Sequence, residues 1–221
     1  MAGILAALLI AYLAGGIPVA YIVGRVHRGI DIREHGSGNV GTTNAWRVLG
    51  PAAGVAVLVL DVVKGAVAVL AAPYAAAAVS WQASGAAPAG VSAALPVLAG
   101  LTAVLGHTYT PFLRFRGGKG IATAAGVLLV VTPLAVPILL GVFAVVVALT
   151  RMVSAGSLVI ALLYPGVVGL FYRDVPGALP FAVAAAALLT WRHRGNIARI
   201  ARGQERKVVW RRATRESGGE R

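Results

Sequence analysis

The chain has 221 residues, of which 58% are hydrophobic and 12% charged, and its mean hydropathy is +0.82. A soluble globular domain could not bury so much apolar surface, so the composition excludes that class and indicates a protein in the lipid bilayer. The net charge of +13 does not indicate a nucleic-acid partner, because the basic residues flank apolar segments and act as topology signals. The absence of cysteine excludes disulfides, thiolate metal sites and a thioester mechanism.

Six apolar segments follow one another along the chain, and a membrane-spanning helix needs about 20 such residues. The first segment has no basic residue before Arg25, which favours a retained helix over a cleaved signal peptide. The fourth carries Pro133 and Pro137 and would be about 45 Å long as one helix, against a hydrocarbon core of about 30 Å. It is therefore expected to form two short helices. The segments cover residues 3–24, 48–79, 91–113, 121–150, 152–171 and 176–191.

The distribution of charge decides between six and seven spans. With seven, the loops at 25–47, 114–119 and 151 and the tail from Arg192 share one face, which collects 18 of the 20 Lys and Arg residues. With six, the strongly basic tail would have to cross the membrane. We therefore predict an all-α, polytopic membrane protein of seven transmembrane helices, with the N-terminus outside and the C-terminus in the cytoplasm. Residues 1–197 are expected to form one domain, followed by a solvated basic tail over 198–221, with a low-complexity outer loop around 80–90.

Asp61 and Lys64 lie inside the second apolar segment. Burying either charge alone in a membrane is costly, and a spacing of three residues allows the two to pair on one helix face. The pair is either part of a functional site or an internal ion pair that fixes the second helix to its neighbours. The sequence favours the second interpretation slightly.

The first cytoplasmic loop combines three glycines, two asparagines and three hydroxyl residues between positions 36 and 47. Glycines let successive backbone amides point at one oxyanion, and hydroxyl and amide side chains add neutral donors. A loop of this kind before a helix N-terminus suits a phosphate group better than a plain polar turn, which needs only a few residues. The candidate binding residues here are Gly36, Ser37, Gly38, Asn39, Gly41, Thr42, Thr43, Asn44 and Arg47.

The second loop places Lys119 between glycines, after Gly117 and Gly118 and before Gly120. This arrangement lets the ammonium group and neighbouring amides approach one anion at the start of a helix. It does not match the Walker A pattern of nucleotide-hydrolysing proteins, which requires Ser or Thr directly after the Lys. The nearby Arg114 and Arg116 are interpreted as anchors at the cytoplasmic membrane surface.

Two smaller elements complete the predicted cytoplasmic site. Ser154 follows Arg151 at the next cytoplasmic turn, and the last apolar segment ends in His193 and Asn196. A spacing of three places His193 and Asn196 on one helix face, although a histidine at a helix C-terminus is also explained by the helix dipole.

Together these strings resemble the PlsY family of bacterial membrane glycerol-3-phosphate acyltransferases, over nearly the whole chain. The resemblance implies a seven-helix fold with a cytoplasmic site in the bacterial inner membrane. It also implies transfer of an acyl group from acyl phosphate to the 1-hydroxyl of glycerol 3-phosphate, giving lysophosphatidic acid and phosphate. The matching strings are GSGNxGxTNxxR at 36–47, DxxKG at 61–65, GHxxxxFxxFxGGKGxAT at 106–123 and HxxN at 193–196.

The resemblance assigns glycerol 3-phosphate to a set of side chains from four loops. These are Ser37, Arg47, Lys119, Ser154 and His193, with Asn196 as a catalytic neighbour; Arg47, Lys119 and His193 are also implied to be catalytic. The glycines and residues 39–44 of the first loop, with Gly117, Gly118 and Gly120 of the second, are implied to hold the acyl-phosphate group.

Direct acyl transfer suits this set of residues, because an acyl phosphate is already activated and needs no thiol, metal or cofactor. Arg47 and Lys119 would hold two mutually repelling phosphates together and stabilise the leaving phosphate. The base that takes the hydroxyl proton is either His193 or a substrate phosphate. The alternative function, a permease for an organic phosphate, is disfavoured because its charges should lie near the membrane midplane.

The predicted topology can be tested with single cysteines, since the natural chain has none. Cysteines at Gly85 and Asp174 should react with an impermeant thiol reagent added to intact cells, because both positions are predicted to face outside. Cysteines at Gly29, Arg116 and Gly219 should react only after the membrane is opened. Labelling of Gly219 in intact cells would contradict the seven-helix prediction.

Overall fold

The structure, a computed structural model, describes residues 1–84 and 94–208. Within these ranges the chain forms ten α-helices, two short 3-10 helices and no strand, which confirms the predicted all-α class. Residues 85–93 of the predicted outer loop and 209–221 of the predicted tail lie outside the described residues. The α-helices are α1 (Ala2–Gly16), α2 (Val19–Arg28), α3 (Thr42–Leu49), α4 (Pro51–Ser84), α5 (Leu95–Thr108), α6 (Ile121–Val131), α7 (Ala135–Thr150), α8 (Val153–Phe171), α9 (Ala178–Arg192) and α10 (Arg194–Ala201).

Three stretches of the described chain are helical, long and apolar enough to cross a membrane: residues 2–28, 51–80 and 153–171. The shorter helices α6, α7 and α9 are also apolar. Large aliphatic side chains remain exposed on the outer helix faces, where Leu140, Leu162 and Leu170 are 61%, 62% and 69% exposed. Such a surface suits lipid rather than water.

The fourth apolar segment divides into α6 and α7, at the proline that the sequence analysis singled out. The helices end and begin on either side of Pro133, which lacks an N–H group and cannot continue α6. Side chains from α8 and its C-terminal end form hydrogen bonds with polar groups on both sides of this break. The Tyr164 hydroxyl lies 3.1 Å from the Thr132 hydroxyl, and the Tyr172 hydroxyl accepts a 2.7 Å hydrogen bond from the Leu134 amide.

Close backbone contacts between α4 and α6 place the start of α6 against the interior of α4. A Cβ atom added at Gly126 would lie 1.9 Å from the carbonyl oxygen of Val62, and one at Gly65 would lie 2.1 Å from that of Thr123. Small residues allow such an approach between membrane helices, where packing replaces the hydrophobic effect as the driving force. The second loop, which leads directly into α6, is thereby held beside the charged pair of α4.

That charged pair is an internal salt bridge. Asp61 is 1% exposed and Lys64 is 8% exposed, and their charged groups are 2.8 Å apart. The Lys64 ammonium also donates a 2.8 Å hydrogen bond to the carbonyl of Ile17, at the break between α1 and α2. The Asp61 carboxylate lies 3.6 Å from the imidazole of His107 at the end of α5. These contacts match the structural interpretation, in which the pair joins α4 to its neighbours.

Removing one member of this pair should be more harmful than removing both. Asp61→Asn leaves the Lys64 ammonium buried without a counter-ion, which typically costs about 3–5 kcal/mol. We expect the free energy of unfolding in detergent to fall by this order, and Asp61→Asn combined with Lys64→Met to recover most of the loss. An Asp61→Asn protein that unfolds normally but has lost turnover would instead assign the pair to the active site.

Candidate active site

The first of the two glycine-rich loops is folded around the buried side chain of Asn44, which is 2% exposed. Its amide oxygen accepts a 2.8 Å hydrogen bond from the Ser37 amide, and its NH₂ group donates to the carbonyls of His35 and Ile32 at 3.1 and 3.3 Å. Gly36 has a φ of +65°, and a Cβ atom there would lie 2.3 Å from the Asn44 oxygen. Asn44 and Gly36, both predicted as binding residues, therefore have a clear role in shaping the loop.

The remaining polar residues of this loop surround the start of α3. Gly41 is the N-cap of that helix, and the side-chain oxygens of Asn39 and Thr42 are buried without a hydrogen-bond partner among the described residues. Ser37 is exposed. Buried oxygens that lack a partner are costly unless a ligand or water satisfies them. They mark the start of α3 as a place where a polar ligand would be accommodated.

The second loop is a turn whose backbone groups are already hydrogen-bonded. The amides of Gly117 and Gly118 donate to the carbonyls of Thr108 and His107 at 3.2 and 3.1 Å. These two glycines thus do not offer their own N–H groups to a ligand, which corrects the expectation that their amides converge on an anion. Helix geometry instead leaves the first-turn N–H groups of α6, after the N-cap Gly120, without intrahelical acceptors.

A continuous polar chain joins the second loop to three other elements. The Lys119 ammonium donates to the Asn196 side-chain oxygen at 2.5 Å, and the Asn196 NH₂ group donates to the Glu205 carboxylate at 2.7 Å. The same carboxylate accepts a 2.8 Å hydrogen bond from the Ser154 hydroxyl and one of 2.8 Å from Arg199. The structure therefore brings together Lys119, Ser154 and Asn196, three residues that the sequence analysis assigned to one site.

Glu205 was not predicted to belong to the site, because it lies in the segment assigned to the solvated tail. Its side chain is 6% exposed, and the amide of Val208 donates to the carbonyl of Arg151 at 2.7 Å, so residues 205–208 lie against the helix ends. Burial alone would raise the pKa of Glu205, but hydrogen bonds from Ser154, Asn196 and Arg199 outweigh it, and the pKa is lowered. The carboxylate is thus charged at neutral pH.

Two side chains of the predicted site, Lys119 and His193, are buried close to other cations. Burial lowers the pKa of Lys119 to about 8; Glu205 opposes this shift, whereas neighbouring cations add to it. Burial and the charge of Lys119 lower the pKa of His193 to about 4. His193 is 2% exposed and its Nδ1 lies 2.8 Å from the Leu189 carbonyl, so the neutral ring donates from Nδ1 and carries its lone pair on Nε2. The cations acting on Lys119 are Arg199, Arg192 and Arg47.

The two loops face each other across an open cleft of about 470 Å³. Arg47 is exposed on α3 and does not line this cleft; burial and the charge of Arg206 lower its pKa, and the charge of Glu205 opposes them. Among the described residues, no group of three or more His, Asp or Glu side chains could hold a metal ion. The cleft is lined by Asp31, Arg33, Glu34, Gly38, Phe115, Arg116, Gly117 and Arg192.

Fold and site together define an all-helical membrane protein that gathers cations and buried polar groups at one set of helix ends. The sequence matches the family described as glycerol-3-phosphate acyltransferase over residues 5–203. A glycerol-3-phosphate acyltransferase of Chlorobaculum parvum is 39% identical over 93% of this chain and 97% of its own length. One of Geobacillus kaustophilus is 44% identical over 92% of this chain and 95% of its own length.

Solved structures give the same result. The crystal structure of PlsY, an integral membrane glycerol 3-phosphate acyltransferase, in its glycerol 3-phosphate form has a TM-score of 0.80 and 32% identity, and covers 93% of this chain and 96% of its own. The lysophosphatidic acid form of PlsY has a TM-score of 0.77 at the same identity. The chain therefore belongs to the PlsY family of glycerol-3-phosphate acyltransferases, as its motifs predicted.

The low pKa of His193 predicts how stability depends on pH. Below its unfolded pKa of about 6.5, the unfolded chain binds a proton that the buried ring resists until about pH 4. The free energy of unfolding should therefore decrease as the pH is lowered from 6.5 to 4, with a contribution from this residue on the order of 3 kcal/mol.

Denaturation in detergent across that pH range measures this contribution. His193→Gln should remove part of the slope, whereas His27→Gln, which changes an exposed histidine, should leave it intact. Equal slopes for the natural protein and His193→Gln would contradict the prediction.

Proposed function

We propose that this chain is a membrane enzyme of phospholipid synthesis that transfers an acyl group from acyl phosphate to the 1-hydroxyl of sn-glycerol 3-phosphate. The products are lysophosphatidic acid and inorganic phosphate. One observation carries the proposal: Lys119, Asn196 and Ser154 form a single polar chain at the ends of apolar helices. The relatives named for glycerol-3-phosphate acyl transfer support the acceptor, and the lysophosphatidic acid form of PlsY supports the product.

We further propose that the enzyme spans the bacterial inner membrane seven times, with its N-terminus outside and with its active site and C-terminus in the cytoplasm. The division of the fourth apolar segment at Pro133 supports seven spans rather than six. Contact of Lys119 with Asn196, and of Ser154 with Glu205, supports a common face for the loops that carry them.

In this proposal the cations neutralise two phosphates that repel each other. Arg47 and Lys119 carry most of that role, and burial of Lys119 strengthens its attraction for a phosphate because water screens a buried charge less. Ser37, Ser154 and His193 hold glycerol 3-phosphate, and Asn196 orients the Lys119 ammonium. The first-turn amides of α6 and the start of α3 receive the acyl-phosphate group.

The reaction is a direct transfer. The 1-hydroxyl oxygen of glycerol 3-phosphate attacks the acyl carbonyl carbon, the bond from that carbon to the bridging oxygen breaks, and phosphate leaves with the bridging oxygen. Neutral His193, with a pKa of about 4, is a weak base that accepts a hydrogen bond from the hydroxyl. A substrate phosphate, with a second pKa of about 6, is the stronger base and receives the proton.

The proposed function can be tested by measuring phosphate release from palmitoyl phosphate by the purified protein. Phosphate release should depend on glycerol 3-phosphate and should equal the lysophosphatidic acid formed.

Arg47→Ala and Lys119→Ala should each lose about 100-fold or more in rate, since each leaves phosphate charge unneutralised. Arg47→Lys should remain poor because a point charge cannot replace a bidentate fork. Arg173→Ala, which changes an exposed arginine after α8, serves as the matched control.

The same assay separates direct transfer from a covalent route through Ser37. With both substrates varied, direct transfer gives intersecting double-reciprocal lines, and Ser37→Ala weakens glycerol 3-phosphate binding without changing the kinetic order. Parallel lines, with an acyl group trapped on Ser37, would contradict direct transfer. Phosphate release without lysophosphatidic acid would contradict the acyltransferase proposal itself, and uptake of glycerol 3-phosphate into vesicles without an acyl donor would favour the permease.

A further inference from the structure

Arg192, the last residue of α9, binds the backbone of the second loop rather than its own helix. Its guanidinium donates to the carbonyls of Gly117 and Gly118 at 3.1 Å each, with a further contact of 3.3 Å to Gly118. The same group lies over the ring of Tyr109, 5.2 Å from its centroid. A basic residue that only complemented the dipole of α9 would interact with the last carbonyls of that helix. Arg192 instead joins two separate elements of the site.

The turn is held from the opposite side by the end of α5. The imidazole of His107 packs directly against Gly118, where an added Cβ atom would lie 2.2 Å from Nε2. A Cβ atom at Gly117 would lie 2.0 Å from the His107 carbonyl oxygen. With the amides of both glycines bonded to carbonyls of α5, the turn is fixed between α5 and Arg192.

These contacts determine the direction of the next peptide group. The peptide bond between Gly118 and Lys119 is planar and trans, so its C=O and N–H groups point in opposite directions. When Arg192 holds the Gly118 carbonyl, the Lys119 amide is directed to the other side of the turn. The Lys119 ammonium is fixed separately by Asn196, four positions after Arg192 in the chain. Residues 192–196 therefore orient both polar groups of Lys119: Arg192 acts on its amide through Gly118, and Asn196 binds its ammonium.

We propose that Arg192 is a positioning residue, which orients the backbone amide of Lys119 toward a substrate phosphate by holding the carbonyls of Gly117 and Gly118. Its kinetic consequence rests on the proposed acyltransferase function. Nη2 of Arg192 donates to both carbonyls and Nε donates to that of Gly118, and a lysine ammonium does not present two donor nitrogens in such a fixed plane. Arg192 also offsets the negative partial charge of two carbonyl oxygens, and one of these belongs to Gly117, which lines the cleft.

Arg192→Lys and Arg192→Gln in the full-length protein in detergent test the proposal, with hydrogen exchange of residues 116–120 as the first readout. Loss of hydrogen bonds to a charged group should accelerate exchange in this segment by about tenfold or more, while the melting temperature stays close to that of the natural protein. The matched controls are Arg194→Lys and Arg194→Gln, because Arg194 stacks on Trp191 and donates to its carbonyl without contacting the loop. They should leave exchange in 116–120 unchanged.

The second readout is steady-state kinetics with palmitoyl phosphate and glycerol 3-phosphate. In Arg192→Lys, the KM of at least one phosphate substrate should rise by about tenfold while kcat changes less, since charge is kept and orientation is lost. Unchanged exchange in 116–120, or faster exchange throughout the protein with a large fall in melting temperature, would overturn the positioning role. If the natural protein shows no acyltransferase activity, the proposed function is wrong, but the hydrogen-exchange result on Arg192 remains valid.

Discussion

One carboxylate in a strongly basic protein holds the site together. Glu205 accepts hydrogen bonds from Ser154, Asn196 and Arg199, and through Asn196 it reaches Lys119. These groups come from the N-terminal ends of α6 and α8, from α10 and from the segment that follows it. Without that negative charge, the cations would repel one another in a place where water screens them weakly. The hydrogen bonds that join Ser154, Asn196 and, through Asn196, Lys119 in the candidate site therefore converge on Glu205.

The apolar helices also position the site, because their packing places the polar loops next to one another. Close contact of α4 with α6 at Gly65 and Gly126 places the second loop beside the buried pair of Asp61 and Lys64. In the site that results, burial is the main cause of the lowered pKa values of His193 and Lys119, and the charges of neighbouring cations add to it. In the proposed function, two bound phosphates would add negative charge beside these cations, so the proposed transfer relies on charge neutralisation and not on a covalent nucleophile.

Much of the fold and part of the site could be predicted from local sequence, because apolar length, proline and loop composition act over short distances. The helix break at Pro133 and the all-α class are examples. Glu205 could not be found in this way, since 51 positions separate it from Ser154 and nothing in a basic tail shows which helix end it meets. Arg192 was counted only among the basic residues that set the topology, because more than 70 positions separate it from the glycines that it binds. Asn44 was predicted to bind a ligand, whereas its hydrogen bonds give it a role in shaping the loop.

The most direct test of this account is the acyl-transfer rate of Glu205→Gln with palmitoyl phosphate and glycerol 3-phosphate. Glutamine keeps the size of the side chain but removes the charge, and its NH₂ group faces donors that need an acceptor. The account predicts that kcat/KM falls about tenfold to a hundredfold, the effect of losing hydrogen bonds to a charged group. Asp174→Asn, an equivalent change at an exposed site, should retain the natural rate. A Glu205→Gln enzyme as active as Asp174→Asn would contradict the central role of this carboxylate.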